Sequence, residues 1–268
     1  MILELVFLSL LVLGLCVLFY RGAVHEFQIL QKDYEPEMNW SEVLNEELPL
    51  VIRSLPRNWL GGWSSRITGK RNWKTIVRDP ETRRKMRTTW AHFVATPAPR
   101  PLLVNGEEIA EVARLPHSLS NWRDDGFSRW SWLPTSVSTP TPDLLTAADF
   151  RGVTKTTAEF TAFVATDGAP LEIWLAHEGA IPAKVAEDLV GKDPWIQTTN
   201  TIPWIDEVKY VEIKLRPGNA LLIPRHWWVA LRGTDTVSDA WYWRAEFHTP
   251  ISLAATAALG TKLSEARP

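Results

Sequence analysis

Apolar and polar residues alternate along most of the second half of the chain. Val211, Ile213 and Leu215 are separated by Glu212, Lys214 and Arg216, a period of two that predicts a strand with one buried face. Pro217-Gly218 breaks that strand, and the apolar run 219–223, closed by Pro224, reads as its partner across a tight turn, so the pattern predicts an antiparallel hairpin. The same period recurs at Phe160, Ala162 and Val164, at Leu171, Ile173 and Leu175, and at Trp241, Trp243, Ala245 and Phe247. Turns at Asp167-Gly168, Pro217-Gly218 and Arg232-Gly233 punctuate these runs, which predicts a mainly β domain built as an antiparallel sandwich or barrel. Residues 97–142 are rich in Pro, Ser and Thr and have little periodicity outside 107–114. They read as long connections packed over the β core through Trp122, Trp130 and Trp132.

The N-terminal pattern is of another kind. No charge interrupts residues 5–20, and the stretch counted from Met1 has 20 residues. As a helix this reaches roughly 30 Å, the thickness of a bilayer's hydrocarbon core. The expected organisation is a membrane anchor over 1–21, an acidic tether and short helix over 22–47, a β domain over 48–250 and a C-terminal helix or tail over 251–268. Asn39 or Ser41 is the expected start of the short helix. Glu4, where a signal peptide carries a base, and the poor cleavage sequence Arg21-Gly22-Ala23 favour an uncleaved anchor. Arg21, just after the span, places the large domain on the cytoplasmic side. Occupancy of the sequon Asn39-Trp40-Ser41 would reveal the opposite orientation.

Charge and composition narrow the classes. With 268 residues, 45% of them hydrophobic, the chain can bury a substantial core. Fifteen tryptophans supply either rigid core and pocket walls or an aromatic binding surface. A formal charge of -2 gives no global attraction to nucleic acid, so any such case must rest on a local patch. One patch exists: from Arg57 through Arg87 ten basic residues face only Asp79 and Glu81, with Trp59, Trp63 and Trp73 interleaved. It reads as a solvated helix face balancing the acidic stretch 33–47, as a surface for anionic lipid, or as a nucleic-acid site; tethering to a bilayer favours lipid over nucleic acid. Cys16 is the sole cysteine, which excludes an intramolecular disulfide and a cysteine-based zinc site.

The strand, Pro-Gly turn, strand and Trp227-Trp228 corner resemble those of cupin-like, Jumonji-C-type proteins. Pro49-Leu50-Val51-Ile52-Arg53, followed by Trp59, resembles the strand that opens their domain. The resemblance covers residues 48–247 and is carried by 49–63 and 211–231. It implies a double-stranded β-helix (jelly roll) with peripheral helices, and in working members of the family it implies Fe(II) and 2-oxoglutarate. A metal-binding histidine directly follows the Trp-Trp pair in those enzymes; Val229 stands there in this chain. The other two ligands are a His-x-Asp or His-x-Glu pair. None of the six histidines begins one, the residues two positions on being Phe27, Val94, Leu119, Gly179, Trp228 and Pro250. Placed by the strand 171–175, the equivalent tripeptide is Ala165-Thr166-Asp167, which keeps the carboxylate and lacks the imidazole.

Among the remaining histidines, His226 lies three residues before Val229 and should face away from a metal pocket in a regular strand. His177, beside Glu178, reads as an ordinary surface or core histidine, and His92 and His117 carry no assigned role. Asp124-Asp125 precede Gly126, the composition of a turn more than of a cation site. The sequence has no Gly-x-Ser-x-Gly elbow, phosphate-binding glycine loop or His-Glu-x-x-His pair. The resulting expectation has no catalytic, cofactor-binding or metal residue: a membrane-anchored, cupin-like binding or scaffold module whose tryptophan-lined pocket takes a small ligand or peptide. The alternative is an Fe(II)/2-oxoglutarate oxygenase, of hydroxylase or demethylase type, with an atypical site drawn from Asp167, His177 or His226. A third reading is a structural protein that organises membrane.

Overall fold

The computed structural model describes residues 6–12, 14, 28–79, 82, 84–97, 100–129, 133–195 and 208–259. Residues 6–12 and 14 are helical, and Phe7, Leu8 and Leu10 are each at least 60% exposed. The rest of the expected anchor lies outside the described residues. Among the described residues no helix is long and apolar enough to cross a membrane.

The first strand, β1 (Leu30–Asp33), is followed by a helix Trp40–Asn45 and β2 (Leu50–Arg53). Asn39 caps that helix by accepting from the Glu42 N–H, and its apolar side chains at Trp40, Val43 and Leu44 are buried. The segment expected as a tether is thus built into the domain: β1 pairs in parallel with β2, and Trp40 anchors the helix that follows. Helices Arg57–Leu60 and Trp63–Thr68 lead to β3 (Lys74–Arg78), β4 (Lys85–Thr89), a helix Trp90–Ala95 and β5 (Leu102–Leu103). Two helices, Gly106–Val112 and Leu115–Asp124, then precede β6 (Ser136–Val137) and β7 (Thr141–Leu145). The second half supplies β8 (Phe150–Lys155), β9 (Phe160–Gly168), β10 (Leu171–His177), a helix Ala183–Leu189, β11 (Val211–Leu215), β12 (Ala220–Pro224), β13 (Trp227–Gly233), β14 (Ala240–His248) and a terminal helix Pro250–Leu259.

Strands outweigh helices, and they form three sheets. The largest has the order β1-β2-β12-β9-β14-β6, with β7 also paired to β14; a four-stranded sheet has the order β11-β10-β13-β8; a small one has the order β4-β3-β5. Apart from β1 with β2, the pairs are antiparallel. From β7 onward, β7, β9, β12 and β14 belong to the larger sheet and β8, β10, β11 and β13 to the four-stranded one.

The hairpin expected across Pro217-Gly218 does not form. Both strands exist, but β11 pairs with β10 while β12 pairs with β2 and β9. The turn, with Gly218 at φ +87°, carries the chain from one sheet to the other. The Asp167-Gly168 turn is also a crossing. There a Cβ on Gly168 would stand 1.9 Å from the Asp239 carbonyl oxygen, so only glycine lets the two backbones approach.

Three apolar layers result. Leu171, Ile173, Leu175, Trp227, Val229 and Leu231 of the four-stranded sheet meet Phe163, Leu221, Ile223 and Tyr242 of the larger sheet between the two. The outer face of the larger sheet, with Ala162, Val164, Trp243 and Phe247, lies under helices bearing Trp40, Trp59, Phe93 and Trp122. Trp122 is central: its ring lies 4.5 Å from that of Trp59, 5.9 Å from Trp243 and 5.9 Å from Phe247, pairs worth about 1 kcal/mol each beyond area burial. Val153, Trp174, Trp228 and Ala230, on the outer face of the four-stranded sheet, are covered by Val185 and Leu189.

Candidate functional site

The corner between β12 and β13 is the place where family resemblance and chemistry meet. It turns at His226, a non-glycine residue held at φ +69°. The buried Thr156, just beyond β8, secures this conformation. Its Oγ lies 2.8 Å from the Pro224 carbonyl and 3.0 Å from that of Trp227, and accepts from the Trp227 N–H at 3.1 Å. Its backbone adds two bonds: Thr156 N–H to the Trp227 carbonyl at 2.7 Å and His226 N–H to the Thr156 carbonyl at 3.2 Å. These bonds pair the Pro224 and Trp227 carbonyls and the His226 and Trp227 N–H groups where the chain enters the apolar layers.

Val229 follows three residues after His226, 2% exposed and opposite Leu175 on β10 and Thr154 on β8. Residues directly opposite in an antiparallel pair share a face, so Val229 looks between the sheets, into the apolar layer of Ile173, Leu175 and Leu231. The strands flanking it offer no imidazole or carboxylate at the paired positions. Fe(II) held by two imidazoles and a carboxylate does not fit this donor set.

Asp167 does not supply the missing carboxylate. It is exposed at the far end of β9, opposite Trp241, and accepts a hydrogen bond from the Ser64 hydroxyl on the helical side of the larger sheet. The register of β9 against β14 shifts between Trp241 and Tyr242, and neither β9 nor its neighbours β12 and β14 pair with β13, so Ala165-Thr166-Asp167 does not stand on the strands beside Val229.

The two histidines near the corner have separate surroundings. His226 Nδ1 lies 2.9 Å from Glu178 Oε2, and Lys155 Nζ lies 2.5 Å from Glu178 Oε1. The His226 hydrogen bond, with Lys155 adding to it against the opposing effect of burial, holds the Glu178 carboxyl down at about 2. His177 continues the inward alternation of Leu171, Ile173 and Leu175, is 4% exposed, and stands edge-on to Trp227 with ring centroids 5.2 Å apart. Its Nδ1 accepts from the Gly179 N–H at 3.1 Å, which puts the proton of the neutral ring on Nε2. Asp167, His177 and His226 are not brought together, and among the described residues no group of three His, Cys, Asp or Glu side chains could hold a metal ion.

Three polar constellations escape the sequence reading. Glu47, Arg129, Glu159 and Arg225 form a largely buried ring in which each arginine contacts both glutamates, with Arg129–Glu159 and Arg225–Glu159 at 3.1 Å and Arg225–Glu47 at 3.5 Å. Deeper between the sheets, Arg151 clasps Asp143 through Nε at 2.7 Å and Nη2 at 2.9 Å, and the Tyr242 hydroxyl donates to the same carboxylate at 3.0 Å. Burial, then the adjacent Asp143 charge, pushes the Tyr242 phenol well above its ordinary range. On β14, Arg244, Glu246 and His248 share the inner face with Tyr242, and His248 Nε2 lies 3.4 Å from Glu246 Oε2. Opposite Glu246 stands Thr161, fully buried. The signal for this strip was present, since the residues alternating with Trp243, Ala245 and Phe247 are all polar. A polar face of a strand ordinarily reads as solvent-facing, and here it lies between two sheets.

Elsewhere, Asp125 accepts from the Tyr34 hydroxyl at 2.5 Å, and burial together with this bond pushes the Tyr34 phenol up to about 12. Asp124-Asp125 is a helix end rather than a cation site. The basic segment is divided between two short helices, which carry Arg57 and Arg66, and the antiparallel pair β3–β4, on which Lys74, Lys85 and Arg87 are exposed. Trp59 is turned into the core and Trp73 packs against it, so these rings do not offer a stacking surface for bases. No family model matches the chain, and no curated protein matches it.

Proposed function

We propose that the chain is a non-catalytic binding or scaffold module built on a double-stranded β-helix and held at a membrane by its N-terminal apolar segment. The distribution of β7 to β14 over two facing sheets, with a sheet-crossing turn after β9, β11 and β13, supports the jelly-roll reading. The observation that carries the loss of iron chemistry is the setting of Val229, in register with Leu175 and Thr154 within a closed apolar layer. An imidazole placed there would lack the two further donors that Fe(II) requires. The exposed apolar side chains of residues 6–12 support the membrane anchor, and the exposed basic residues of β3 and β4 are of the kind that anionic headgroups attract.

The full chain, purified in detergent, tests both halves of the reading. Metal analysis after incubation with Fe(II) is expected to find no stoichiometric iron, and 2-oxoglutarate to be left unconsumed. Reconstituted chain is expected to resist extraction by alkaline carbonate. Stoichiometric iron with 2-oxoglutarate turnover would overturn the non-catalytic half, and carbonate release would overturn the anchor.

A further inference from the structure

β11 closes the four-stranded sheet, and among the described residues nothing pairs with its outer edge. Edge strands are usually blunted by proline, a bulge, extreme shortness or charged side chains, and of these β11 carries only the charges, Glu212 and Lys214. β11 has five residues, no proline, and an unbroken register against β10 from Leu171↔Leu215 to Leu175↔Val211. Beside it a cleft of about 520 Å³, lined by Ile29, Val51, Arg53, Val211, Ile213 and Arg216, keeps its inner face open. Val211 and Ile213 are half-buried there, while Glu212 and Lys214 are exposed on the other face.

The sequence of this edge is complementary to itself. If a second β11 is laid antiparallel beside the first with Ile213 on the two-fold axis, Glu212 stands opposite Lys214 of the second copy and Lys214 opposite its Glu212. Val211 meets Leu215 in both directions, and the flanking Tyr210 meets Arg216. Each of these pairs is of a stabilising cross-strand type: two ion pairs, two aliphatic pairs and two cation–aromatic pairs, repeated by symmetry as an isologous interface requires. The charged groups remain available, whereas Leu215 is already fully buried, so the Glu212–Lys214 pairs carry the specificity of the register. Lys214 Nζ reaches Glu172 only at 4.0 Å with 71% of its side chain exposed, and Glu172 is already held by Arg232 at 2.5 Å. Tyr210, 43% exposed, rests against Trp174 with ring centroids 5.6 Å apart, which presents its outer face to an incoming guanidinium.

We infer that the partner of this edge is a second copy of the chain, joined through β11 so that two four-stranded sheets become one eight-stranded sheet across a two-fold axis. The inference stands apart from the proposed loss of iron chemistry, because β11 contributes nothing to the corner around Val229.

Charge exchange tests it on the full chain in detergent, with mass read by sedimentation and light scattering across a concentration series. The unsubstituted chain is expected to dimerise. Glu212→Lys places lysine opposite lysine twice, Lys214→Glu places glutamate opposite glutamate twice, and each is expected to weaken the dimer by at least about tenfold in Kd. Mixing the two variants restores opposite charges at both positions, so heterodimers should form with near-original affinity; a chain carrying both substitutions should also dimerise. Both sites are exposed, so circular dichroism should show all variants folded. A monomer at every concentration, or a dimer whose Kd ignores the single exchanges or fails to recover on mixing, would overturn the inference.

Discussion

The inner faces of the two sheets differ. The four-stranded sheet turns Leu171, Ile173, Leu175, Trp227, Val229 and Leu231 inward, an apolar surface bounded by His177 at the end of β10 and by Thr154 and Arg151 on β8. The larger sheet answers with Phe163, Leu221 and Ile223, but also with Tyr242 hydrogen-bonded to Asp143, with Thr161, and with the strip Arg244, Glu246 and His248. The space between them is therefore polarised. One wall has been filled by aliphatic side chains, including the position where the family resemblance calls for a metal histidine. The other keeps charged and hydrogen-bonding groups whose partners are mostly each other.

The sharpest way to break the contrast is to remove one half of the buried pair that joins the walls, Asp143 on β7 of the larger sheet and Arg151 on β8 of the four-stranded one. Asp143→Ala leaves the Arg151 guanidinium between the sheets without its bidentate partner and strips the Tyr242 hydroxyl of its acceptor. A loss of about 3 kcal/mol is expected in urea unfolding monitored by tryptophan fluorescence. If the penalty comes from the stranded charge, adding Arg151→Met should recover most of it, since replacing both members of a buried ion pair by apolar groups is often neutral. Failure of the double variant to recover would mean that the polar wall is fixed by something other than its own charges.

A smaller effect of opposite sign is expected at Thr161. Its Oγ is buried, without a hydrogen-bond partner among the described residues, between Ile223 on one strand and Glu246 on the other. Thr161→Val keeps the branched shape and removes an unsatisfied hydroxyl, so stability should rise by about 1 kcal/mol. A loss instead would show that the hydroxyl has a partner in solution and that the polar wall extends along β9.

Much of this architecture is legible in the sequence, and the parts that are not share a cause. The strands at 160–164, 171–175, 211–215 and 241–247 follow from period-two alternation, and the short helix capped by Asn39 follows from its capping residue. Alternation says which residues share a face and not which sheet a strand joins, so β11 and β12 look like a hairpin although the turn between them changes sheets. It is equally silent on a strand buried on both sides: Phe160, Ala162 and Val164 lie under the helices while Thr161 and Phe163 lie between the sheets. The helix Leu115–Asp124 is missed because Pro116, two serines and a histidine obscure the spacing of its buried positions Leu115, Ser118, Leu119 and Trp122. At the corner, Val229 could be placed because Pro224 and Trp227-Trp228 frame it. Asp167 could not, because the bulge that separates it from the inner face depends on β14, which is remote in sequence: Thr166, beside it, bonds to Trp241 75 residues further along.

The smallest expected effect lies just outside both walls, where Glu178 joins His226 of the corner to Lys155 of β8. Its carboxyl is lowered from an ordinary 4.5 to about 2, first by the His226 hydrogen bond and then by Lys155. A carboxylate depressed in the folded state contributes stability that is complete above its unfolded value and is lost as pH falls toward its folded value. The contribution of Glu178 should therefore be intact above about pH 4.5 and decline from there toward about pH 2. Nearly half of the side chain is exposed, so solvent screens the pair and the effect will be modest. Measured as the difference in Tm between the original chain and Glu178→Gln, it should be constant from neutral pH down to about 5 and narrow steadily below that. The comparison between walls sets what each result means. A gap that narrows on this schedule makes the corner a surface latch, independent of the apolar layer behind Val229. A gap that persists unchanged into acid would show that Glu178 acts through its shape in the packing around His226 instead of through its charge.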